Sequence, residues 1–101
     1  MLNQVVLVGR LTKAPKVYDN KGILTLKVPR PYKNSEGEYE NDLIPAIVTG
    51  PILENARNYL TVGSLVGVKG RIEADQSRTD GRIKIIVEKI SFLSNGTGNE
   101  D

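Results

Sequence analysis

An all-β fold is predicted, a single five-stranded Greek-key barrel with one short helix between the third and fourth strands. Three observations predict it. Segments of alternating or continuous β-branched and aliphatic residues recur along the chain, separated by turn signals such as Asp19-Asn20, Gly50-Pro51 and Asp80-Gly81. Helical spacing is confined to one stretch, carrying Leu53, Ala56, Arg57 and Leu60 after Pro51. The length of 101 residues suits one domain with one core, expected over 1–93, with a short disordered tail at 94–101.

The first strand is expected over 2–12. It is apolar on both faces, with Val5, Leu7 and Leu11 on one and Leu2, Val6 and Val8 on the other. One face of a small barrel strand meets the core, so the second implies a covering partner. Val17 and Tyr18 resume the strand before a turn at 19–22. The second strand, 23–32, places Leu24, Leu26 and Val28 inward, and Pro29 and Pro31 remove donors along one and the same edge. Residues 33–41 are polar and acidic and should form an exposed hairpin tip. The third strand, 42–50, leads into the helix, with Gly50 as its cap and Pro51 at its first position. The fourth strand, 64–75, points Val66, Val68, Gly70 and Ile72 inward, with Lys69, Arg71 and Glu73 outward. Its glycines, with Gly63, are bends of a barrel rather than a phosphate loop, since no following lysine opens a helix. The fifth strand, 82–93, carries Ile83, Ile85, Ile86, Val87 and Ile90. This element order is that of an OB-fold.

Composition narrows the chemistry. There is no cysteine and no histidine, which removes disulfides, thiolate nucleophiles, the usual zinc ligands and imidazole catalysis. The expectation is therefore a protein that is not an enzyme and holds no cofactor or metal; the carboxylates Glu73 and Asp75 alone make a weak cation site. No apolar run has the length of a membrane span and no secretory leader is visible, so a cytoplasmic protein is expected. The net charge of +2 is uneven: residues 1–33 carry seven basic groups against one acidic, and residues 34–42 carry four acidic and none basic. A basic amino-terminal third is the footprint of a polyanionic partner.

Two strand sequences, Leu2-Asn-Gln-Val-Val-Leu-Val-Gly-Arg-Leu-Thr12 and Gly63-Ser-Leu-Val-Gly-Val-Lys-Gly-Arg-Ile72, with the hairpin Tyr32-Lys-Asn-Ser-Glu-Gly-Glu38 between them, resemble the bacterial single-stranded DNA-binding protein family. The resemblance runs from residue 1 to about 93. It implies single-stranded DNA as partner, roles in DNA replication, recombination and repair, a homodimer or homotetramer, and replication or repair proteins as further partners. Such folds hold single strands with a basic groove and with rings on which bases stack. By position, the family's stacking residues fall on Tyr32, Leu43, Thr49 and Ser77, of which only Tyr32 is aromatic. Two positions that are basic in the family fall on Glu73 and Asp75. The residues expected to bind nucleic acid are Tyr32 with Arg10, Lys13, Lys16, Lys27, Arg30, Lys33 and Arg71. Tyr39 is read as decoration of the hairpin tip, Tyr59 as packed against the barrel, and Phe92 as core or interface. The departures define an alternative, a diverged OB-fold paralogue of the primosomal kind that contacts another protein and binds little DNA.

Overall fold

The computed structural model describes residues 1–77 and 79–94. Six strands and one helix follow in the order β1 (Val5–Leu11), β2 (Lys16–Tyr18), β3 (Lys21–Lys33), β4 (Tyr39–Thr49), α1 (Gly50–Tyr59), β5 (Leu65–Ala74) and β6 (Ile83–Ser94). In space the strands lie in the order β1-β5-β6-β4-β3-β2, and a pairing of β1 with β3 closes the first five into a barrel. The only parallel contact among these pairings is β4 with β6, at Ala46 with Ile85 and Ile47 with Ile86. This is the expected OB-fold, with β2 as a short flap on the outer edge of β3.

Period-two alternation builds the core. Leu11, Leu24, Leu26, Ala46, Val48, Val66 and Val68 turn inward from four strands and are at most 2% exposed. Leu53, Ala56 and Leu60 recur at helical spacing and close one end of the barrel. Where β1 crosses onto β3 the backbones approach so closely that a Cβ on Gly9 would lie 2.7 Å from the Lys27 carbonyl oxygen. Gly70 is tighter still, facing the backbone of Ile86 beside a register shift between β5 and β6. Both glycines are required by contact, not by a left-handed dihedral.

Several boundaries differ from expectation, each for a local reason. β1 begins at Val5 rather than Leu2; ahead of it Asn3 extends the ladder by side chain, donating from Nδ2 to the Ile72 carbonyl at 2.7 Å and accepting from the Ile72 amide at 2.9 Å. The turn before β3 is only Asp19-Asn20, both left-handed (φ 49° and 60°), and joins Tyr18 to its partner Lys21. Gly22 belongs to the strand instead, where a side chain would collide with Leu53 of the helix. The helix is capped by Thr49, not Gly50, although Thr49 makes no side-chain cap bond. Ile72, expected in the core, is 38% exposed. Pairing of β1 with β5 ends at Val5 with Gly70, so beyond Gly70 the β5–β6 ribbon projects past the barrel and inward-facing positions find no core. Ser94 is the last residue of β6 rather than the start of the tail, and the remainder of the expected tail, 95–101, lies outside the described residues. Phe92 is 48% exposed and Tyr59 68% exposed; they pack on each other edge to face at 5.9 Å between ring centroids, not into the barrel core.

Candidate nucleic-acid interface

Alternation that sends Leu24 and Leu26 inward sends Lys27 outward on β3. Register then places Arg10 of β1 opposite Lys27 on one side and Leu43 of β4 opposite it on the other. These three side chains form a row across the outer face of the barrel, all exposed, Leu43 by 63%. Arg10 is held by a bond from Nη1 to the Gly63 carbonyl at 2.9 Å. Lys13 and Lys16 are exposed on the connection from β1 and on β2, and with Lys27 they make no ion pair among the described residues. Of the sequence-predicted cations of the first third, Arg10 and Lys27 are thus brought side by side, and Lys16 pairs with Ile23 further along β3.

The edge argument holds for Pro29. The Thr25 carbonyl accepts from the Thr12 amide at 3.0 Å, so odd-numbered residues of β3 direct their backbone polar groups toward β1. Pairing with β1 stops at Lys27, and Pro29 falls on that side beyond it, where no β1 residue pairs with it, while Pro31 lies in the irregular stretch that follows.

Past Pro29 the β3–β4 register shifts, resuming at Lys33 with Tyr39. Tyr32 lies in this irregular stretch and is 65% exposed. Lys33 and Tyr39 pair across the hairpin with the ammonium 5.7 Å from the ring centroid, a cation–π contact. Tyr39 therefore has a partner and is more than decoration; a basic residue facing a ring across a hairpin was the available signal.

Two of the expected DNA-binding cations are occupied by carboxylates. Arg30 grips Asp42 through Nε and Nη2 (3.2 and 2.9 Å) and Glu40 through Nη1 (2.8 Å). That grip holds the Asp42 carboxyl below the ordinary aspartate range and pushes the Arg30 guanidinium further up, chiefly through the hydrogen bond between them. Arg71 bonds Glu73 at 2.6 Å and Glu88 at 3.1 Å, which raises it in the same way. The positions that the resemblance assigns to stacking keep their exposure without rings: Leu43 and Thr49 are exposed, and the Ser77 hydroxyl is turned onto Asp75 at 2.6 Å.

Strand β1 is open along one edge. Its residues Val5 to Arg10 pair with β5, but only Arg10 and Leu11 reach β3. On the outer face beside that edge Val6 is 66% and Val8 49% exposed. Among the described residues no helix is long and apolar enough to cross a membrane, and no group of three or more metal-ligating side chains of the His, Cys, Asp and Glu types converges.

The model of the single-strand binding protein family matches residues 2–93. This chain belongs to that family. A Listeria innocua relative, "Single-stranded DNA-binding protein 3", is 42% identical over 97% of this chain and 69% of its own length. A Halalkalibacterium halodurans "Single-stranded DNA-binding protein" is 43% identical over 92% of this chain, which spans 61% of that relative. Among solved structures, the mitochondrial single-stranded DNA-binding protein Rim1 of S. cerevisiae superposes with a TM-score of 0.74 at 17% identity, covering 95% of this chain and 100% of its own. The dimeric N-terminal domain of PriB from Thermoanaerobacter tencongensis superposes at 0.68 with 19% identity, over 92% and 98% of the two chains. At those identities the structural likenesses establish the fold alone, and they include both kinds of protein that the sequence suggested.

Proposed function

We propose that this protein binds single-stranded DNA without catalysis, as a homodimer or homotetramer, in replication, recombination or repair. The observation that carries the reading is the exposed row Arg10–Lys27–Leu43, with exposed Lys13 and Lys16 on the connection after β1 and on β2, and the hairpin of Tyr32 and Lys33 further along β3. Family membership and the names of the relatives support it. The cations follow phosphates, Tyr32 stacks one base, and Leu43 offers an apolar surface where the family places a ring.

Affinity is modest. Each stacked base contributes about 1–3 kcal/mol, and three of four stacking positions lack a ring, so roughly 3–9 kcal/mol of gross binding energy is missing. Electrostatics then dominate, and each phosphate neutralised contributes a slope of about −0.7 in log affinity against log salt. Fluorescence polarisation of a labelled oligo-thymidine strand at low and physiological salt tests the reading. Weak binding that falls steeply with salt is expected; no binding at low salt, or tight binding indifferent to salt, overturns it.

The absent rings and the acid-bound Arg30 and Arg71 favour one alternative, a protein-docking paralogue. It predicts retention of a protein partner on the same face and no dependence of that retention on Tyr32.

The open edge of β1 with exposed Val6 and Val8 supports pairing with a second copy through that strand.

A further inference from the structure

The β3–β4 hairpin has a break in its backbone ladder just where the candidate stacking residue sits. Register is lost between Pro29 and Lys33. Side chains span the gap. Arg30 holds Asp42 and Glu40; the second oxygen of Glu40 accepts from Asn34 Nδ2 at 3.0 Å; and Asn34 Oδ1 accepts from the amides of Glu36 and Glu38, both at 2.9 Å. One continuous path of hydrogen bonds therefore runs from Asp42 and Arg30 to the hairpin tip, joining Arg30 and Asn34, the residues two positions either side of Tyr32. Its strongest members are charge-assisted, and the Asp42 contact is the bidentate fork that an arginine makes and a lysine does not.

We propose that Arg30 is a positioning residue for Tyr32 rather than a phosphate ligand. Two carboxylates already satisfy its guanidinium in the way a phosphate would, and taking it for DNA would undo the support of the hairpin. This inference rests on the proposed single-strand binding. Arg30 is thus spent internally, which leaves the phosphate path to Arg10 and Lys27 with Lys13, Lys16 and Lys33.

A thermodynamic cycle on oligo-thymidine binding separates the roles. Arg30→Ala is expected to weaken binding several-fold in the unchanged background and to have no further effect on top of Tyr32→Ala, because its influence passes through that ring. The salt slope should stay as it was. A slope reduced by about 0.7, with a loss additive to that of Tyr32→Ala, identifies a phosphate ligand and overturns the proposal. The second arm needs no DNA: amide exchange at Glu36 and Glu38 should quicken several-fold in both Arg30→Ala and Glu40→Ala, while β5 amides keep their protection. Unchanged exchange overturns the support role. Should the unaltered protein fail to bind the oligonucleotide, the proposed function falls, and the exchange arm still judges the hairpin support.

Discussion

Single residues carry the departures that matter here. Tyr32 is the one aromatic among the four stacking positions that the family resemblance assigns, and Tyr32→Ala should cost about 1–3 kcal/mol of single-strand binding, read by polarisation at fixed salt. Binding equal to the parent would make the ring structural. Asp42 gives a pH test whose sign is set by its depressed folded pKa. Such a group contributes stability above its unfolded value, about 3.9, and loses it as the pH falls through the lower folded value, while Arg30 remains charged throughout. Hairpin amide protection should hold from neutral pH down to about pH 4 and fall away below, and in Asp42→Asn that acid step should shrink. Glycines divide by what a side chain would meet. Gly9→Ala and Gly70→Ala drive a Cβ into backbone and should destabilise by ~1–3 kcal/mol. Gly67→Ala meets nothing closer than 3.7 Å and should change denaturant midpoints little.

At the level of elements, the β5–β6 ribbon beyond Gly70 leads to two carboxylates that stand where the resemblance assigns cations. Glu73 and Asp75 occupy positions that the resemblance gives to cations, and Glu73 also holds Arg71. Replacing both, Glu73→Arg with Asp75→Arg, removes repulsion from phosphates and releases Arg71 from its nearer partner. Oligo-thymidine binding should tighten, and the salt slope should steepen by about 0.7 for each phosphate newly engaged. An unchanged affinity in a folded, correctly assembled variant would place the DNA path elsewhere. The same ribbon marks a limit of pattern reading. Ile72 keeps the strand parity of Val66, Val68 and Gly70 but is exposed, because pairing with β1 ends at Gly70. Strand parity is a local property; the length of a neighbouring strand is not.

For the whole molecule, the exposed outer face of β1 calls for a second copy. Light scattering at micromolar concentration should report a dimer or larger assembly, and Val6→Glu with Val8→Glu should shift it toward monomer while the fold survives, since both side chains point away from the core. A monomeric parent would remove the argument. Alternation of apolar residues, the turn residues and the one helical stretch were sufficient by themselves to determine five barrel strands, the helix between the third and fourth, and the inward-facing leucines and valines, because each depends on neighbours within a few positions. The absence of histidine and cysteine likewise settled which chemistries were closed. Tertiary structure decided which cations face outward unpaired and which are spent. Arg10 meets Lys27 only because β1 closes onto β3, and Arg30 is taken by Asp42, twelve residues away, only because the hairpin folds back on itself. A basic residue reads the same in sequence whether its charge is offered to solvent or held by a carboxylate, since pairing depends on distances set by the folded chain.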